Sequence, residues 1–170
     1  MADDEQPISK SQLKREAQAT RSLGADLLAL SESQLRRVPM DTTLAEAIQQ
    51  ARKINSHGAR RRQLQYIAKL IRRGDADPII NAVTAIHDEA RGLKAQQHRI
   101  EAWRQYLVDS GDAALEYLLR HNAQLNTQEM RQLMRNAQRE QSAGKPPTAA
   151  RALFRLLRDL DSAQPLPPCP

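Results

Sequence analysis

The side chains in this sequence best placed to do chemistry are cations at helical spacing. In RRRQLQYIAKLIRR, residues 60–73, a winding of 3.6 residues per turn puts Leu64, Ile67, Ala68 and Ile71 on one face. Arg62, Gln65, Lys69, Arg72 and Arg73 fall opposite, within about 100° of arc, with Tyr66 at their edge and Arg61 beside them. Residues 47–74 hold eight Lys or Arg and no Asp or Glu, so no carboxylate close in sequence can neutralise the row. Such a row can hold a polyanion by charge.

Residues 130–158 repeat the arrangement with seven basic residues and one acid, Glu140. Arg131, Arg135 and Arg139 stand at i, i+4, i+8 across the helix from Met130, Leu133, Met134 and Ala137. Arg151, Arg155 and Arg158 face away from Leu153, Leu156, Leu157 and Leu160. Between the two helices, Lys145 sits in the turn SAGKPP, held by a stiff proline pair. The chain carries +6 overall, whereas the two basic segments carry +14, which leaves −8 for the remainder. Ordinary solvated helix faces are the competing reading. That reading calls for acids interleaved at i, i+4 with the arginines, and such acids are nearly absent.

Other chemistry finds no footing. His57, His87, His98 and His121 lack ligand spacing; His87 and His98 share a face but lie roughly 16 Å apart along a helix. Asp112 with Glu116, and Asp159 with Asp161, read as cap or surface acids rather than a catalytic pair. The six glycines are scattered and form no phosphate loop, and no nucleophile stands beside a base. The one cysteine, Cys169, excludes a disulfide framework and a cysteine zinc site. The sequence predicts no enzyme, no metal and no cofactor, and a cytoplasmic chain with neither an export signal nor a membrane span.

The elements that position these residues are helices. Aromatics make up 3% of the chain, and Ala, Leu, Gln and Arg dominate, which predicts an all-α protein, an elongated multihelical bundle with one long central helix. Residues 1–8 are expected to be a disordered acidic leader. An N-terminal helical part, 9–109, opens at Ser9 or Ser11 with Leu13, Ala17, Leu23, Leu27 and Leu30 inward and Gly24 weakening the middle. Ser31 restarts a short turn. Asp41 caps a helix carrying Leu44, Ala47, Ile48 and Ala51 that stops by a left-handed turn between Asn55 and Gly58. The basic helix spans 59–73. Asp77 caps the long helix 78–108, about 48 Å of rod, striped by Ile79, Val83, Ile86, Ala90, Leu93, Gln97, Ile100 and Leu107. A C-terminal helical part, 112–161, follows, with Asn126 and Glu129 as a capping box. A flexible tail, 162–170, ends the chain.

Three strings carry a family likeness: SKSQLKREAQATRSLGADLLAL (residues 9–30), GARRRQLQYIAKLIRR (58–73) and RNAQREQSAGKPPTAARALFRLLRDL (135–160). In order and spacing, from about residue 8 to 161, the sequence resembles the bacterial YjgA/DarP family of ribosome-associated proteins. The resemblance implies a non-enzymatic, all-helical factor on late precursors of the large ribosomal subunit. It would bind 23S rRNA on the subunit-interface side and help the peptidyl transferase centre mature. Some relatives have a longer acidic leader than this chain.

With few aromatics in the basic rows, recognition is expected to rest on phosphates and folded RNA shape, with Tyr66 either stacking on a base or packing half-buried. The candidate RNA contacts are Arg61, Arg62, Gln65, Tyr66, Lys69, Arg72, Arg73, Arg131, Arg135, Arg139, Lys145, Arg151, Arg155 and Arg158. Other assembly factors are possible partners; a membrane or a small-molecule substrate is not expected. Two alternatives remain: a helical adaptor that pairs through its long helix with an acidic protein, and a general DNA-coating protein.

Overall fold

The computed structural model describes residues 9–121 and 125–170, and within them all but the side chain of Leu13. The expected acidic leader and the inward Leu13 therefore lie outside the described residues. The described chain forms eight α-helices and no strand, one of them long. Two compact units divide it, Met1–Glu89 and Ala90–Pro170.

In the first unit, α1 (Lys10–Ala29), the single turn α2 (Glu32–Leu35), α3 (Thr42–Lys53) and α4 (His57–Arg73) join the N-terminal half of α5 (Asp77–Ser110) around one core. The starts are set by side-chain caps that satisfy otherwise unbonded N–H groups. Ser9 Oγ accepts from Gln12, Ser31 and Gln34 form a reciprocal capping box, and Asp41 Oδ1 accepts from the Leu44 N–H at 2.7 Å. The stripe of α3 is buried as spaced, at Leu44, Ala47, Ile48 and Ala51. On α4, Ile67, Ala68 and Ile71 are buried and Leu64 is half-buried.

Gly24 has a reason that helix propensity does not disclose. A Cβ there would stand 3.2 Å from Ile67 Cγ2, so the missing side chain lets α1 lie close on α4.

Two local expectations fail here. No left-handed residue stops α3; Ile54 is extended, and Gly58 lies inside the first turn of α4. Asp77 is the first residue of α5 rather than its cap, and its N–H donates to Asp75 Oδ1 at 3.1 Å. A second nearby acid took the role by side-chain reach.

In the second unit the C-terminal half of α5, α6 (Asp112–His121), α7 (Thr127–Ser142) and α8 (Thr148–Ala163) surround Trp103, which is fully buried. The stripe of α5 is not continuous. Ile79, Val83 and Ile86 serve the first core, Ile100 and Leu107 the second, while Ala90 and Gln97 are exposed and Leu93 is 67% exposed. The division between units accordingly falls inside α5, not near Gly111 as the sequence suggests. Gly111, at φ 59°, is only the tight corner between α5 and α6.

The end of the chain is fastened, against the expectation of a loose tail. Leu166 is buried, its N–H donates to Asp161 Oδ1 at 2.9 Å, and Trp103 Nε1 donates to the Pro167 carbonyl at 2.7 Å. Proline ends α8 but leaves carbonyls free to accept, and the buried indole supplies the donor.

Candidate nucleic-acid interface

The basic face of α4 is the plainest feature of the first unit. Arg61, Arg62, Gln65, Lys69, Arg72 and Arg73 are exposed, and Tyr66 is 44% exposed. Among the described residues none of these cations makes an ion pair. The helix folds so because its apolar stripe is claimed by α1 and α3, which turns the opposite arc to solvent. Tyr66 sits on that outer arc, with no aromatic neighbour among the described rings.

One cation of the segment is spent elsewhere. Arg52, half-buried, pairs with Glu32 of α2 and donates to the carbonyls of Leu27 and Leu30, tying α3 to the end of α1. Glu32 is distant in sequence, so counting nearby acids could not reveal it. Gln63 Nε2 similarly donates to the Ala47 carbonyl at 3.1 Å, tying α4 to α3.

In the second unit, Arg131, Arg135 and Arg139 lie exposed along α7, opposite buried Met130, Met134 and Ala137; Arg151, Arg155 and Arg158 lie exposed along α8, opposite buried Leu153 and Leu157. Two of the six are not free. Arg131 Nε donates to Asp112 Oδ1 at 2.9 Å, and Arg158 pairs with Asp159 at 3.0 Å. Both pairs are solvent-exposed and worth at most about 1 kcal/mol, so a phosphate can displace the carboxylate. Arg135 donates to the neutral Gln132, while Arg139, Arg151 and Arg155 have no ion-pair partner among the described residues.

The turn that carries Lys145 is built by more than prolines. Gly144, at φ 60°, follows α7; the Lys145 N–H reaches back to the Glu140 carbonyl at 2.9 Å and the Gly144 N–H to that of Gln141. This pair of bonds is the Schellman arrangement. Glu140 Oε2 then accepts from the Ala149 N–H at 2.8 Å, capping α8, which has no cap of its own. At the other end of α7, Asn126 accepts from the Glu129 N–H as expected, but Glu129 returns its bond to the Asn126 side-chain amide rather than its backbone.

Among the described residues buried charge occurs once, at Asp161, which is 3% exposed and is neither a cap nor a surface acid. Arg99 donates to it twice at 2.8 Å and Gln96 once at 2.8 Å. Burial pushes this carboxyl up, and the bonds from Arg99, Leu166 and Gln96 outweigh it, holding the group below the usual carboxylate range. The site is structural. His57, His87, His98 and His121 are all exposed, and no group of three metal-ligating side chains occurs among the described residues.

A family model described as dual-action ribosomal maturation protein DarP matches residues 6–158. The chain belongs to the DarP family. Proteins carrying that same description include one from Aromatoleum aromaticum, 41% identical over 172 residues, covering 99% of this chain and 90% of the relative. One from Serratia proteamaculans is 42% identical over 153 residues (90% and 84%), and one from Aeromonas hydrophila 40% over 152 (88% and 84%). The DarP match takes in all of α4 and α7 and α8 through Arg158, hence every cation considered above; the Asp161 and tail fastening lies beyond it.

Proposed function

We propose that this chain is a non-enzymatic ribosome maturation factor that binds 23S rRNA on late large-subunit precursors at the subunit-interface side and promotes maturation of the peptidyl transferase centre. Membership of a family described as ribosomal maturation proteins supports the coarse reading. The observation that carries the RNA contact is the outer face of α4. Among the described residues, five exposed cations there, from Arg61 to Arg73, are left without a carboxylate in a protein that pairs Arg37, Arg52, Arg99, Arg131 and Arg158. A protein that spends cations on its own stability places them against acids. These have none among the described residues, so their charge is available to phosphates, whose counterions are released on contact. Arg135, Arg139, Lys145, Arg151 and Arg155 extend the same capacity to the second unit.

The adaptor reading asks for an apolar stripe open along α5. Leu93 and Ile80 are exposed singly, which isolated surface residues often are. The test is sedimentation of cell extract at 50 and 200 mM salt. Co-migration with large-subunit particles at the lower salt and loss at the higher is expected. Absence from those particles at both salts overturns the proposal, and a complex that survives nuclease points to the adaptor.

A further inference from the structure

The second unit has a cleft of about 330 Å³ between the C-terminal half of α5 and the α7–α8 turn, near the lower end of the ~300–1,000 Å³ typical of small-molecule sites. Its floor is apolar, made by Val108, Ala137 and Ala150, with Pro147 as one wall. The other five lining residues are polar and differ in availability. Gln105 is committed to Asp109 through its amide at 3.0 Å. Arg104, Lys145 and Gln141 have no side-chain partner among the described residues, and Glu140 uses only Oε2, for the Ala149 N–H.

We propose that this cleft holds one unpaired guanosine of an RNA strand, with Glu140 accepting from the base and Arg104 and Lys145 taking the adjoining phosphate. The proposal rests on the RNA-binding reading above and adds a base-specific site to it. A slot with apolar side chains at its base and polar groups around them suits a nucleobase removed from its stack. A carboxylate inside that slot selects the base by hydrogen-bond pattern. Guanine alone presents two adjacent donors, N1–H and the N2 amine, on its Watson–Crick edge, and its O6 next to them can accept from the Gln141 amide. Adenine and cytosine set an acceptor beside their amine, which a carboxylate repels, and uracil sets its single N–H between two carbonyls. Two separate cations and no glycine-rich loop suit the phosphate of a strand rather than the polyphosphate of a free nucleotide.

The Schellman turn gives the site its rigidity. It fixes the backbone of Lys145 relative to that of Glu140 through the 2.9 Å bond between them.

The experiment uses the full chain and four RNA hairpins of one stem, each with a single bulged G, A, C or U, with GMP, GTP and inorganic phosphate as further probes. The bulged-G hairpin is expected to bind about tenfold tighter than the bulged-U hairpin, the discrimination one well-placed polar pair gives. Glu140→Gln, which keeps an acceptor for the Ala149 N–H, should bring that ratio close to one. GMP should shift the amide resonances of Gln141 and Ala149, beside the groups that meet the base, and phosphate alone, held by Arg104 and Lys145, should leave those two resonances in place. Equal affinity for all four bulges, a guanosine preference that survives Glu140→Gln, or phosphate shifts matching those of GMP overturn the proposal; GTP binding tighter than the bulged-G hairpin overturns its RNA-borne form. If the wild-type chain co-sediments with large-subunit particles yet ignores the bulged base, only the cleft assignment falls. If it does not co-sediment, the RNA reading itself falls.

Discussion

Neutralising part of the α4 face gives a number that the structure sets in advance. Arg61, Arg62, Lys69, Arg72 and Arg73 are the exposed candidates on that helix, with no ion-pair partner among the described residues. If all five meet phosphates, they contribute about 4.5 to the slope of log affinity against log salt, at about 0.9 per contact for duplex nucleic acid. Between 50 and 200 mM salt, affinity should then fall about 500-fold on their account. In the triple variant Arg62→Gln, Lys69→Gln, Arg73→Gln two contacts remain, the slope drops by about 2.7, and the same change of salt costs only about tenfold. Surface substitutions of this kind alter stability by about 0.5 kcal/mol or less, so the thermal midpoint and helical content should stay near wild type. The assay is a salt titration of fluorescently labelled protein binding to purified large-subunit precursor particles. The companion variant Arg151→Gln, Arg155→Gln reports whether α8 engages as well. A triple variant with the wild-type slope shows that α4 does not face RNA, and the reasoning from unpaired charge to phosphate contact then fails.

Two further outcomes concern the second unit. Asp161→Asn leaves the Arg99 guanidinium without its buried counter-charge; with Arg99 partly in water, the expected loss is about 2–3 kcal/mol, below the ~3–5 kcal/mol for breaking a fully buried pair. Because the folded carboxyl titrates below its unfolded value, its stabilisation is complete above the ordinary carboxylate range and disappears as pH falls through the folded value. Urea unfolding of wild type should therefore show this acid-side loss, and the variant should lack that component; an unchanged midpoint at neutral pH contradicts the buried-pair assignment. Trp103→Phe removes the donor to the Pro167 carbonyl, costs about 1 kcal/mol for the bond, and frees the end of the chain. Burial raises the Cys169 thiol in the wild type and slows its reaction with alkylating reagents, so alkylation should speed up several-fold in the variant. An unaltered rate means that the indole does not fasten the tail.

What the sequence disclosed follows the range of the interaction concerned. The stripes of α3, α4, α7 and α8, and the caps at Ser9, Ser31 and Asp41, depend on residues three or four apart, and periodicity reaches them directly. Trp103 was within reach too. It stands three residues after Ile100 and four before Leu107, on the same stripe, and is the largest fully buried side chain. The tail was not legible, because its anchors, Trp103 and Arg99, lie 64 and 62 residues from their partners. Gly24 misleads for a related reason. Propensity reads it as a weak point of α1, whereas its value depends on Ile67 of another helix.

The same distinction separates the arginines that build this protein from those left for a partner. By sequence, Arg52 and Arg62 belong to one uninterrupted cationic segment. In the fold, Arg52 turns inward to the end of α1, where two carbonyls and Glu32 receive it. Arg62 stands on the arc opposite Ile67 and Ile71, where no neighbouring helix brings an acid. Arg131 and Arg158 are intermediate: each has a carboxylate, but an exposed one that water already screens. The free energy needed to redirect a cation to phosphate therefore rises from α4, where nothing is broken, through Arg131 and Arg158, to Arg99, whose release would strand a buried charge. Contact with RNA is accordingly expected to begin on α4 and on Arg139, Arg151 and Arg155, with Arg131 and Arg158 joining only where a phosphate comes close enough to replace Asp112 or Asp159.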